Sequence, residues 1–397
     1  MTARQSLRRR VIILTLVGAG ALLTACTEKA DSGSAKDGNE SAKLTVTVTA
    51  TDDACTVSSA DAPSGAITFA VSNKGSKVNE FYLFAADGVR VVGEVENIGP
   101  GITRNLVVRM KPGTYVAACK PGMTGEGIRS AFTVTDSGEA VAAPATEKLL
   151  AEATEQYTAF VRTEADALLQ KTEAFAELYR AGNDDEARTA YAPARMHWER
   201  IEPVAESFGD VDPKLDLREA DLEAGQEWTG WHRIEKDLWP PANGGSYVAM
   251  TSAQRAAVAD QLVADTKDLR GRVSVVMLSP DQLSNGAKEL LDEVATGKVT
   301  GEEEIWSGTD LWDFQANIDG AKMAFEVLEP VLRERDPALL TELDERFDNV
   351  QKLLDAQKTG NGFVNYRDLS AEQVKAMADA VNALGEPLSR LTAAIVL

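Results

Sequence analysis

Apolar and polar residues alternate in twos along the first third of the chain and recur in threes and fours along the rest, the period changing near residue 140. The runs at 43–50, 66–73, 80–85, 89–96, 104–110, 114–119 and 131–135 are short, rich in β-branched and aromatic residues, and separated by Gly, Pro, Asn and Asp. Such runs at such spacing predict an antiparallel β-sandwich over residues 44–136. Roughly 90 residues suffice for one small core.

Beyond it, Leu149, Leu150, Ala153, Tyr157, Phe160, Val161, Leu168, Phe175 and Leu178 recur at helical spacing until Gly182-Asn183, a pair that stops helices. Thr251 with Gln254, and Ser370 with Gln373, have the form of capping boxes at later helix starts. Leu311–Leu332 and Leu339–Leu354 continue the same period. Amphipathic helices with short loops predict an all-α bundle over residues 147–397, built as two packed units. The chain is therefore expected to be multidomain, all-β then all-α, with independent folding units joined across residues 137–146.

Ahead of both lies a basic stretch, MTARQSLRRR, and an apolar run from Val11 to Leu23, too short for an ordinary membrane span. Leu23-Thr24-Ala25-Cys26 has the pattern of a lipoprotein processing site, so residues 1–25 read as a signal peptide and Cys26 as the acylated first residue of the mature chain. The alternative is ordinary cleavage leaving a free thiol, which is disfavoured outside the cell. The adjacent arginines leave a twin-arginine export route open. Residues 26–43, rich in Ser, Gly, Lys, Asp and Glu, read as a flexible tether. The expected location is the outer face of the cytoplasmic membrane, or the periplasm.

Charge sharpens the picture. The formal net charge of −21 becomes −25 once the four arginines of residues 1–25 are removed. An acidic mature chain argues against nucleic acid as a partner and favours attraction of cations.

Histidine is scarce, since the chain holds only His197 and His232. His232 and Glu235 stand three apart between Trp228, Trp231, Ile234, Leu238 and Trp239, so a helix would present both on one face beside a core, ending at Pro240-Pro241. Imidazole with carboxylate suits zinc, iron or copper; the plainer reading is a half-buried histidine paired with Glu235. Glu199, Glu202 and Glu206 fall at intervals of three and four, which on one helix makes a carboxylate stripe, either solvated or facing the His-Glu pair. Asp310 and Asp313 could enter from a third helix, and Asp310 equally has the position of a helix-start residue.

The blocks GWHRIEKDLW (230–239), MHWERIEPVAESFGDVDP (196–213) and EEEIWSGTDLWDFQAN (302–317) together resemble the imelysin-like domain with its H-x-x-E signature. From about residue 44 onwards the chain is similar to the EfeO-type component of bacterial iron-uptake systems, in which a cupredoxin-like domain precedes the imelysin-like one. The stretch PGTYVAACKPGM (112–123) resembles the last strands of a cupredoxin. The resemblance implies an extracytoplasmic, lipid-anchored protein that captures ferric or ferrous iron and passes it to a membrane permease, with a peroxidase-like partner in the same system. It implies a helical-domain metal site at His232 and Glu235 with Glu199, Glu202 and Asp313. It also implies a remodelled site for copper or ferric iron at Cys55, Glu80 and Cys119, with Glu94, Glu96 and Met123 nearby. A plain Cys55–Cys119 disulfide is the equal alternative. Zinc could substitute for iron by intrinsic affinity.

Two enzymatic readings compete. A metallopeptidase, the label attached to imelysin-like domains, would need H-E-x-x-H or H-x-x-E-H, but position 236 is Lys236. A copper-dependent iron oxidase or electron carrier would need two histidines beside the cysteine, and the β domain has none. Transport rather than catalysis is the favoured reading.

Overall fold

The computed structural model describes residues 44–396 apart from 89–90, 124, 139–143, 223–224 and 242–246. The signal peptide, Cys26 and the tether lie outside the described residues.

Nine strands build the first domain: β1 (Leu44–Ala50), β2 (Cys55–Val57), β3 (Asp61–Pro63), β4 (Gly65–Asn73), β5 (Asn79–Phe84), β6 (Val91–Ile98), β7 (Thr103–Met110), β8 (Gly113–Cys119) and β9 (Ile128–Thr135). They form a four-stranded sheet in the order β2-β1-β4-β7 and a five-stranded sheet in the order β3-β9-β8-β5-β6. Alternate residues such as Val46, Val48, Phe69, Val71, Leu106 and Val108 fill the space between the sheets together with Phe81, Leu83 and Phe132, as half-buried strands require. Two pairings depart from the expected antiparallel pattern, because β1 runs parallel to β4 and β3 parallel to β9. The cause is the segment between β1 and β4, which carries the chain back to its starting end through β2 and β3. At three residues each, those strands are too short to show a period.

Of the two readings left open for the cysteines, the structure has the disulfide: Cys55 and Cys119 are bonded, with Cα atoms 5.5 Å apart. Paired sulfurs are not thiolate ligands, and with no imidazole in the domain the residues present do not fit a copper site of the cupredoxin kind. The bridge closes a loop with a sequence separation of 64. Changing both cysteines to alanine is expected to lower the unfolding free energy by about 2–4 kcal/mol, chiefly by freeing the unfolded chain. Denaturant unfolding of the double variant checks this; an unmoved midpoint would contradict it.

The helical domain comprises α1 (Pro144–Ala181), α2 (Asp184–Glu199), α3 (Asp212–Asp216), α4 (Gly230–Leu238), α5 (Ser252–Val275), α6 (Pro280–Thr296), α7 (Asp310–Arg335), α8 (Pro337–Asp355), α9 (Ala371–Leu388) and α10 (Leu391–Val396). Helix α1 ends where Gly182 takes a φ of 76°, and capping boxes form at Thr251 with Gln254 and at Ser370 with Gln373. Apolar side chains from Leu150 to Val396 make one continuous core, where the helical spacing suggests two units.

The two domains pack on one another. Arg104 on β7 pairs with Asp292 on α6 at 2.6 Å, and Arg109 pairs with Glu147 on α1 at 3.1 Å. Asn285 on α6 donates to the Val107 carbonyl at 3.0 Å, and Gln282 to that of Val91 at 3.1 Å. Strands β6 and β7 therefore rest on α6, and both domains fall within a single compact unit, Lys43–Leu397.

Candidate metal centre

Helix α4 is nine residues long, too short to hold itself together in water. Its apolar side does so instead: Trp231, Ile234 and Leu238 are fully buried, and the Trp231 ring lies 5.1 Å from Phe175 and 5.6 Å from Tyr191. At its first residue, Gly230, φ is +84° and a Cβ would lie 2.2 Å from the Leu215 carbonyl oxygen. Only glycine lets α4 start against the backbone of α3.

His232 is thereby placed among four carboxylates, with 1% of its surface exposed. On one side Nε2 lies 3.2 Å from Glu303 and 3.4 Å from Asp216; on the other Nδ1 lies 3.5 Å from Glu235 and 3.8 Å from Glu304. Two sets, Asp216-His232-Glu303 and His232-Glu235-Glu304, each bring three ligand atoms within 4.8 Å of one another. Glu235 is itself held, since its Oε1 accepts the backbone N–H groups of Trp306 at 3.0 Å and Ser307 at 2.7 Å. Glu304 accepts from the Tyr191 and Ser307 hydroxyls, and its backbone N–H donates to Asp310 at the start of α7.

The two sides differ in access. Asp216 and Glu303 line a cavity of about 230 Å³, whereas Glu235 and Glu304 do not. They differ in charge as well. Burial is the largest influence on Glu303 and raises it, but Lys298 and His232 outweigh burial and pull it down to about 2. Asp216 is also held below its usual range, because Arg195 and His232 overcome burial. Burial wins at Glu304 and Asp313, which are pushed well above theirs. For His232, burial and Arg195 push downward, yet Asp216, Glu235 and Glu303 hold the imidazole well above its ordinary value.

Arg195 lies at the middle of this cluster, fully buried. It pairs with Glu199 and Asp216, with Glu304 at 2.7 Å and with Asp313 at 3.5 Å, and stands 3.8 Å from Glu303. The expected ligands Glu199 and Glu202 turn to another base: Lys298 Nζ lies 3.1 Å from Glu199 and 2.7 Å from Glu202, and Asn317 donates to both. Their stripe is also broken, because α2 ends at Glu199 and a 3-10 turn starts at Glu202. Pro203 supplies the reason, having no N–H to continue the ladder and disfavouring helix in the residue before it. Asp313 is buried with neither carboxylate oxygen accepting a hydrogen bond. His197 points elsewhere, its Nδ1 2.7 Å from Glu164.

In the β domain, Glu80 is not beside the disulfide. Phe81 and Cys119 are register partners facing the core, whereas Glu80 shares the other face with Tyr82, whose hydroxyl lies 3.2 Å from Glu80 and 3.1 Å from Glu96. Met123, at φ 61°, is exposed.

Sequence reasoning passed over Asp216, Glu303, Glu304 and the central place of Arg195. Glu303 and Glu304 sit in a three-glutamate run that reads as a solvated loop, and Asp216 lies in an acidic stretch without apolar period. What the centre can do chemically is hold a cation between imidazole and carboxylate oxygens. A histidine ligand usually hands its other N–H to a carboxylate, and Glu235 stands on that side.

The imelysin family profile matches residues 153–391, and a cupredoxin-like domain profile matches residues 16–134. The iron uptake system component EfeO of Escherichia coli O1:K1 is 36% identical over 352 residues, covering 87% of this chain and 90% of that protein. The protein of the same name from Yersinia pestis is 36% identical over 349 residues, covering 87% and 90%. An Efem/EfeO family lipoprotein of Staphylococcus haemolyticus is 42% identical over 245 residues, 61% of this chain and 83% of that one.

Proposed function

The chain belongs to the imelysin family in its EfeO-type form, a component of an iron-uptake system with a cupredoxin-like domain ahead of the helices, and on that premise we propose that it captures iron outside the cytoplasm and passes it to a membrane permease. The observation that carries this reading is His232, buried between carboxylates with its Nε2 facing Asp216 and Glu303, two groups that line a cavity. Oxygen donors with one imidazole suit iron in either oxidation state, with copper and zinc as competitors. In this reading His232, Asp216 and Glu303 take the ion, and Glu235 orients the imidazole through Nδ1. The ion must displace the proton His232 holds, so binding releases protons.

Anchoring through Cys26 would keep the carrier beside the permease. No helix among the described residues is long and apolar enough to cross a membrane, and a relative named as a lipoprotein supports the anchor. Replacing Cys26 with serine is expected to move the protein from the membrane fraction to the soluble one with its fold intact. That soluble form, purified without chelators and dialysed against iron, should retain iron. Metal analysis decides: a chain that keeps no iron, or a variant still in the membrane fraction, would count against the corresponding half of the reading.

A further inference from the structure

We propose that Arg218 is an exchangeable counter-ion of the His232 centre: its guanidinium holds Glu303 when no ion does, swings outward as an ion binds, and returns as the ion leaves. Arg218 borders two cavities at once. Together with Asp221 and Glu303 it lines both the cavity of about 230 Å³ beside the centre and a second of about 330 Å³, where Glu219, Glu302 and Trp306 join them. Charge ties the shared residues together. Arg218 Nε lies 2.7 Å from Asp221, and one terminal nitrogen lies 2.9 Å from Glu302 and 3.4 Å from Glu303.

Charge balance calls for such a group. An iron ion taken by His232, Asp216 and Glu303 adds positive charge to carboxylates that already face cations. His232 can give up its proton, but a guanidinium keeps its own and relieves the repulsion only by moving. Arg195 is fully buried between carboxylates and has nowhere to go, and Lys298 is buried against Glu199 and Glu202. Arg218 differs from both. Its side chain is 27% exposed and has the second cavity beside it.

The backbone around Arg218 is held, so the motion falls to the side chain. Trp228 Nε1 donates to the Leu217 carbonyl at 2.7 Å, and Lys236 pairs with Glu219. Ion pairs at partly exposed positions are individually weak, so a multivalent ion competing for the same carboxylate can replace the guanidinium. Glu219, Asp221 and Glu302 line the second cavity and receive the displaced side chain. A returning guanidinium repels the ion and takes back Glu303, as a carrier that must let its cargo go requires. The exchange rests on the proposed function, since it takes iron as the ion bound at His232.

Two measurements on the full mature chain carrying Cys26→Ser, with iron(II) under anaerobic conditions, test the exchange. Calorimetry should find iron bound about tenfold tighter or more by Arg218→Gln than by the parent, with unchanged melting of the metal-free protein. A purely structural Arg218 would instead give weaker binding and earlier melting. Phenylglyoxal labelling of the parent, read at each arginine by mass spectrometry, should modify Arg218 several-fold faster with iron than without, while Arg195 stays protected. Should Arg218→Gln melt early, Arg218→Met, which keeps the apolar length of the side chain, is judged alike. Iron affinity in the variant equal to or below the parent's, or Arg218 labelling that iron leaves unchanged or slows, would overturn the exchange while the proposed function stands. A parent chain that binds no iron would overturn both.

Discussion

Arg195→Met is expected to destabilise the helical domain by about 3–5 kcal/mol, the cost of breaking a buried ion pair by removing one partner. The expected value lies at the upper end because Arg195 is buried against Glu199, Asp216, Glu304 and Asp313 at once. Methionine fills much of the volume, so the loss would report charge rather than a cavity. Added iron should restore part of it, since a ligand at 100 times its Kd stabilises the folded state by about 2.7 kcal/mol and brings the missing positive charge. Denaturant unfolding with and without iron checks both parts. A variant as stable as the parent without iron would mean the surrounding carboxyls are neutral.

His232→Gln is expected to weaken iron binding at least about 100-fold, or about 2.7 kcal/mol, by removing the sole imidazole in the centre. His197→Ala should leave affinity unchanged, because that ring is engaged with Glu164. Calorimetry on the three full-length chains separates them, and equal affinity for His232→Gln and the parent would reduce His232 to a structural residue. Glutamine is the better choice than alanine. The spacing of His232 and Glu235 alone suggests that removing the imidazole leaves the metal-free fold untouched, but the structure buries it among four acids. Alanine would strip them of a donor and lower the melting temperature for reasons unrelated to metal.

What was legible in the sequence follows from periodicity. All seven alternating runs became strands, and Gly182, Thr251 and Ser370 end or begin helices as their chemistry requires. The His232-Glu235 pair could be found because two residues three apart share a helix face whatever the fold. Its neighbours could not. Asp216, Glu303 and Glu304 come from a five-residue helix and a turn, and only the packing of α3 and of that turn against α4 brings them to the ring.

Gly230 has a consequence of its own. Most distances in a folded chain are set by side chains pressed together, and they drift as those side chains are exchanged. Where α4 starts against α3, Gly230 puts no side chain of its own between them: it meets the Leu215 carbonyl directly, one residue from Asp216 and two from His232. The spacing of two prospective ligands is therefore fixed by main chain, which every sequence shares. The surrounding core is free to vary over generations without retuning the centre, while a single added methyl group at position 230 would shift it.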